Sequence, residues 1–276
     1  MLVILATTLL SGCPKSSNKP SQPPNSQWKL VWRDEFSAPD GSTPDPKKWT
    51  YDIGVGGDGW GNHELEYYTN RPQNAQIKDG NLVVTALRET YAGAEGTSRN
   101  YTSTRLKTLG LFAQTYGRLE ARIKIPAGQG MWPAFWMLGN NIETVGWPKC
   151  GEIDIMENIG KEPATVHGSL HSSSTVAGTS DFTGGFNLPD GQTLASDFHL
   201  YAVEWEPGVV RFYIDSNLYA TKAASEWPAG GAWSFDHPYF LLLNLAVGGD
   251  WPGPPNDATV FPKQMLVDYV RVYTKQ

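Results

Sequence analysis

Arg118-Leu119-Glu120-Ala121-Arg122-Ile123-Lys124-Ile125 sets a charged residue against an aliphatic one at every step. A period of two belongs to an extended chain, whose successive side chains point to opposite faces. The segment predicts a strand with a dry face (Leu119, Ala121, Ile123, Ile125) and a wet one (Arg118, Glu120, Arg122, Lys124). The alternation recurs on either side. Leu82, Val84 and Ala86 alternate between Asn81 and Arg88, and Val210, Phe212 and Ile214 alternate ahead of a turn at Asp215-Ser216-Asn217. Tyr239 to Val247 is almost continuously apolar, as a strand buried on both faces would be, and Val267 to Tyr273 adds a last strand. Gly, Pro, Asn and Asp punctuate the intervals, and no stretch carries the period of a long amphipathic helix. Many short strands at turn-separated spacing predict an all-β sandwich of two antiparallel sheets. The length favours a jelly roll over a small immunoglobulin-like domain.

Of 276 residues, 18% are charged and 12% aromatic, including 11 Trp. Indoles suit a large β core, and they equally suit a cleft whose walls stack on sugar rings. The net charge of -6 comes without a basic run, so nucleic acid is not an expected partner. No linker interrupts the chain after Trp28, and a single, monomeric domain is expected over 28–276.

Leu2 to Leu10 is apolar, too short to span a bilayer but suited to a signal-peptide core. It runs into Leu10-Ser11-Gly12-Cys13, which resembles the lipobox of bacterial lipoproteins, although no Lys or Arg precedes the apolar run. The resemblance implies a signal peptide over 1–12, lipid on Cys13, and export to an outer membrane or cell surface. An ordinary cleaved leader with a chance Cys is the alternative. Pro14 to Gln27 holds Pro, Ser, Lys, Asn and Gln without an aromatic or β-branched residue, so 13–27 should be a disordered tether. With Cys13 lipidated, Cys150 stands alone and the folded domain has no disulfide.

Gly151-Glu152-Ile153-Asp154-Ile155-Met156-Glu157 brings three acids into one strand-like segment. Glu152 and Asp154 would share a face while Ile153 and Ile155 point into the core. Strict alternation would then drive Glu157 inward, and an unpaired buried carboxylate is costly. A β-bulge near Ile155-Met156 adds one residue and returns Glu157 to the acidic face. Hydrolysis of a glycosidic bond needs two carboxyl groups flanking it, about 5–5.5 Å apart in a retaining enzyme. Asp154 between them could hydrogen-bond Glu152, and its negative field could help keep Glu157 protonated. A metal site is the competing reading, but the segment lacks the His or backbone partners usual for one.

Glu152-Ile153-Asp154-Ile155-Met156-Glu157 resembles the active-site signature of glycoside hydrolase family 16, in the bulged form of laminarinase-like β-1,3-glucanases. The resemblance runs from Trp32-Arg33-Asp34-Glu35-Phe36 to Val267-Asp268-Tyr269-Val270-Arg271-Val272-Tyr273. It includes Gly59-Trp60-Gly61-Asn62, Tyr116-Gly117-Arg118-Leu119-Glu120-Ala121-Arg122, Met131-Trp132-Pro133-Ala134-Phe135-Trp136-Met137-Leu138 and His167-Gly168-Ser169-Leu170-His171. It implies a β-jelly roll with a concave substrate cleft and retaining endo-hydrolysis without a catalytic cofactor. By the same resemblance Glu152 is the nucleophile, Asp154 the assisting acid and Glu157 the acid/base.

Trp132 and Trp136, four residues apart on one strand, resemble the family's sugar-stacking pair, with Phe135 and Met137 turned to the core. His171 resembles a cleft histidine able to donate to a sugar hydroxyl or to Glu157. His167, on the same face, reads equally as a core group. Asn62 and Arg105 resemble contacts to sugars on the non-reducing side, and Trp147 and Trp251 would form a cleft rim. Glu64 and Glu66 share a parity that suits a solvated face better than a sugar contact. A structural calcium, carried over from the family, would take Glu35, the Gly80 carbonyl and Asp268.

The reading is therefore an endo-β-1,3-glucanase. The alternatives on the same fold are a mixed-linkage glucanase, a galactanase and a transglycosylase. A non-catalytic glucan-binding lipoprotein fits poorly, because all three acids are present.

Overall fold

The computed structural model describes residues 27–174 and 178–276. The expected signal peptide, Cys13 and the tether up to residue 26 lie outside the described residues. In chain order the strands are β1 (Trp28–Asp34), β2 (Thr50–Asp52), β3 (Glu66–Tyr68), β4 (Ala75–Lys78), β5 (Asn81–Ala92) and β6 (Ser98–Ser103). Next come β7 (Arg105–Lys107), β8 (Gly117–Lys124), β9 (Met131–Gly139), β10 (Glu152–Glu157), β11 (Thr165–Ser174) and β12 (Gly178–Asn187). The last are β13 (His199–Glu206), β14 (Val209–Ile214), β15 (Asn217–Ala223), β16 (Tyr239–Val247) and β17 (Lys263–Lys275). The α-helix α1 (Ile142–Val145) is a single turn.

The strands form two sheets. The larger runs β15-β14-β13-β8-β17-β5-β6-β3, with β1 added on β17 and β4 on β5. The smaller runs β12-β11-β10-β9-β16-β7-β2. Pairing is antiparallel except between β3 and β6. This is the two-sheet sandwich that the alternation implied.

The core lies where the dry faces meet. Leu119, Ala121 and Ile123 of β8 share one cluster with Phe135 and Met137 of β9, Ile153 of β10 and Leu241, Leu243 and Leu245 of β16. β16 is buried along its whole length, as its composition predicted. Its other face packs Phe240 and Leu242 against Leu138 and Cys150. Cys150 is a buried free thiol.

The face of β8 read as wet is largely covered. Arg118 is 6% and Glu120 2% exposed, and Arg118 Nε donates to Glu120 Oε2 at 2.8 Å while its Nη1 donates to Glu204 at 3.0 Å. Alternation reports which residues share a face; whether neighbouring side chains roof that face is a tertiary matter.

The residues expected to hold calcium are charge-balanced within the chain. Both oxygens of Glu35 accept from Arg271, from Nε at 2.8 Å and Nη2 at 3.0 Å, and Asp268 Oδ2 accepts from Arg122 at 2.9 Å. Gly80 sits in the turn between β4 and β5. A divalent cation bound here would compete with Arg271 for Glu35 and with Arg122 for one oxygen of Asp268.

Candidate active site

β10 lies between β9 and β11 in the smaller sheet. Against β9, Asp154 faces Trp136 and Met156 faces Phe135, so two steps on β10 match one on its partner. Against β11, Asp154 faces Ser169 and Glu157 faces His167. This is the expected bulge. Ile153, Ile155 and Met156 are all fully buried in the core. Glu152, Asp154 and Glu157 share the opposite face and line a cleft of about 630 Å³.

The environment differentiates the three acids. Burial raises Glu152 above the usual carboxylate range and the charge of Glu157 adds to this. His171 and Trp147 oppose the rise, Trp147 Nε1 donating to Glu152 Oε2 at 2.6 Å. Asp154 is pushed up to about 7, by burial first and then by Glu152, to which it is hydrogen-bonded. That hydrogen bond lowers Glu152 while it raises Asp154, so of the two Glu152 is favoured as the anion. Glu157 is pushed up to about 8, by burial and then by the charge of Asp154. Trp132 Nε1 donates to Glu157 Oε1 at 2.9 Å and limits that rise. The negative field expected of Asp154 is thus felt, although desolvation is the larger cause.

His171 does not turn to Glu157. Its Nε2 lies 3.2 Å from Asp154 Oδ2 and its Nδ1 2.9 Å from Asp181 Oδ1. The register explains why, because His171 faces Glu152 on β10 and Asp181 on β12. Burial works against charging the ring, but Asp154, Glu152 and Asp181 outweigh it and push His171 up to about 11. Ligand atoms of Glu152, Asp154 and His171 lie within 4.8 Å of one another. One ionisable carboxylate beside a carboxylic acid held protonated near neutral pH is the division of labour of a nucleophile and a general acid.

The cleft walls are mostly as expected. Trp132 and Trp136 face the cleft with Ala134, while Phe135 and Met137 are in the core. Trp147, 54% exposed, forms one rim, and Trp251 packs edge-on against Trp132 at 5.5 Å. His167 packs edge-on against Trp251 at 5.0 Å with its Nε2 3.0 Å from Glu162, a supporting place for the rim. Asn62 lines the cleft from a tight turn in which Trp60 and Gly61 have φ of 57° and 84°. The guanidinium of Arg105 lies over Trp60 at 4.6 Å and over Trp136 at 4.7 Å, with Nε 3.0 Å from Asp52. Each such stack contributes about 0.5–2 kcal/mol and holds the group in one plane.

Glu64 and Glu66 are not a solvated face. They are 6% and 0% exposed, packed where β3 meets the end of β16. Sequence reasoning also missed Trp60, Asp181 and Asn244, all of which line the cleft. Asn244 had a readable signal, as the one side-chain amide in the apolar run from Tyr239 to Val247. Its Oδ1 accepts from Trp136 Nε1 at 2.7 Å. Asp181 had none, because its role depends on β12 lying next to β11.

With this geometry in view, a family model described as glycosyl hydrolases family 16 matches residues 62–271. The chain is 43% identical over 281 residues to a β-glucanase of Rhodothermus marinus, covering 96% of this chain and 92% of that one. It is 37% identical to the glucan endo-1,3-β-glucosidase A1 of Niallia circulans, covering 95% of this chain but 40% of the relative. Among solved structures, the endo-β-1,3-glucanase of Pyrococcus furiosus superposes with a TM-score of 0.84 at 45% identity, over 90% of this chain and 95% of that one.

Proposed function

The chain belongs to glycosyl hydrolase family 16, and from that premise we propose that it is a retaining endo-glycosidase cutting β-1,3-linked glucan. Glu152 attacks the anomeric carbon while Glu157 gives its proton to the leaving oxygen, forming a covalent glycosyl-enzyme. Glu157, now ionised, takes a proton from water, and the water oxygen displaces Glu152 from the same carbon. Two inversions return the β configuration. Nucleophile, acid and water supply every bond change, so the reaction needs no cofactor. The observation that carries this reading is the bulged β10, which sets Glu152 opposite Leu138 and Glu157 opposite Ala134. Four strand positions span ~13 Å between backbones. The two side chains would have to lean together over Asp154 to reach the roughly 5–5.5 Å carboxyl separation of a retaining pair.

Product analysis on laminarin, lichenan, cellulose, agarose and carrageenan side by side tests the substrate. Laminarin is expected to be cut fastest into oligosaccharides, lichenan more slowly and cellulose hardly at all. Trp132→Ala should raise KM, because a stacking surface is lost, and should also free Glu157 from its indole donor. Cleavage confined to agarose or carrageenan would overturn the β-1,3-glucan assignment.

The pH profile follows from the same roles. Activity needs Glu152 ionised and Glu157 protonated, so kcat/KM should rise through the pKa of Glu152 and fall as pH passes about 8, where Glu157 loses its proton. The indole donors stabilise both carboxylates. Trp147→Phe should therefore raise the pKa of Glu152 and move the acidic limb to higher pH. Trp132→Phe should do the same to Glu157 and the basic limb. Limbs that stay in place, or shift downward, would contradict these pairings.

We further propose that the domain works outside the cytoplasm, held by lipid on Cys13. The support is Leu10-Ser11-Gly12-Cys13 after an apolar run. Expressed with a complete signal in a bacterium, the protein should fractionate with membranes, and Cys13→Ala should move it to the soluble fraction with activity intact. Persistent membrane association of that variant would remove lipid as the sole anchor.

A further inference from the structure

Glu66 has no part in the chemistry above, yet it is a fully buried carboxyl group beside the cleft. Its Oε2 accepts the Val247 N–H at 2.6 Å. Its Oε1 is buried with no hydrogen-bond donor satisfying it among the described residues. The group it meets is the carboxyl of Glu64, which lines the cleft and is 6% exposed. Two ionised carboxylates in contact away from water repel strongly and lose their solvation. A single proton between them turns the contact into a charge-assisted hydrogen bond.

The surroundings decide which oxygen keeps the negative charge. Glu64 Oε2 accepts from Tyr68 O–H at 2.9 Å, and Asn244 Nδ2 in turn donates to the Tyr68 oxygen at 3.2 Å. Asn244 Oδ1 accepts from Trp136 Nε1 at 2.7 Å, and Trp136 carries Arg105 on its face. Glu64 thus has the Tyr68 hydroxyl and cleft access, whereas Glu66 is held by backbone N–H groups alone, its own and that of Val247, and has no solvent. Burial, and next the charge of Glu64, holds Glu66 well above the usual carboxylate range.

We propose that Glu66 is a positioning residue which, as a neutral acid, donates a shared proton to Glu64 and so presents Glu64 as an anionic acceptor for a glucose hydroxyl, on the arm of the cleft that holds Asn62 and Arg105. The inference rests on the glucan-hydrolase reading. A neutral polysaccharide offers hydroxyl groups and apolar ring faces. A carboxylate locked from behind takes a hydroxyl without having to order itself first, and the same hydrogen-bond line steadies Trp136 for the ring face. Glu66 acts through Glu64 and touches no substrate.

Three variants and one spectrum test this. Glu64→Gln should raise KM for laminarin about tenfold with kcat little changed, because an ionic acceptor is lost from binding and not from bond breaking. Glu66→Ala removes the donor behind Glu64 and should raise KM similarly. Glu66→Gln should recover most of that loss, since its amide N–H can donate to Glu64 and its carbonyl can accept from Val247. If Glu66→Ala fails to fold, Glu66→Met, which fills the space without a donor, replaces it. In the infrared spectrum at neutral pH, a protonated-carboxyl C=O band of the wild type should be missing from Glu66→Gln. An unchanged KM in Glu64→Gln, a Glu66→Gln variant that binds no better than Glu66→Ala, or an unchanged band would each overturn the proposal. A wild type inert on laminarin would instead sink the glucanase reading, while the spectrum, which needs no substrate, would still decide the shared proton.

Discussion

Glu152→Gly is expected to lower hydrolysis of laminarin by more than about 10⁴-fold, at least ~5 kcal/mol of transition-state stabilisation. The substitution removes the carboxylate proposed to form the glycosyl-enzyme and leaves space on the α side of the anomeric carbon. Azide or formate can enter that space. With an activated β-glycoside and azide, Glu152→Gly should release the α-glycosyl azide, because the anion attacks from the face the nucleophile has vacated. Glu157 remains to assist the leaving group. NMR of the fresh product decides the matter. A β-glycosyl azide from this variant would reassign the nucleophile.

Glu157→Ala should fail in a different way. On laminarin, whose leaving group is a poor sugar alkoxide, loss of the general acid should cost roughly 10²–10⁴-fold. Aryl glycosides with acidic phenols need little protonation, so their first step should be nearly spared and the intermediate should accumulate on Glu152. Azide needs no general base and should intercept it from the β face, giving the β-glycosyl azide. The high pKa of Glu157, pushed up to about 8 by its burial and by Asp154, is what keeps the proton available in the wild type. The basic limb of the pH profile should therefore vanish from the aryl-glycoside reaction of Glu157→Ala. Wild-type laminarin products that first appear in the α configuration would eliminate double displacement altogether.

These expectations draw on two layers of information. Local chemistry determined the strands, since a period of two is a property of the extended backbone and survives in any context. The dry face of β8, the almost continuously apolar β16 and the turn at Asp215 were legible for that reason. The bulge at Ile155-Met156 was legible too, because leaving Glu157 in the core would have been more costly than one irregular pair. The parity of Trp132 and Trp136 separated them from Phe135 and Met137 by the same rule.

Pairing between strands distant in sequence decided the rest. His171 turns to Asp154 and Asp181 because β11 lies between β10 and β12, and no spacing along the chain records that neighbour. Glu64 and Glu66 had the parity of an exposed face, and it is the end of β16 that covers them and supplies the Val247 N–H. Glu35 and Asp268 had the donor atoms for a cation, and only folding shows that Arg271 and Arg122 lie against them. The sequence by itself determined which side chains share a face and which carboxylates could react. Tertiary structure alone decided which polar faces are covered, which charges are paired and therefore which acids keep their protons, because desolvation and pairing depend on what lies across the sheet.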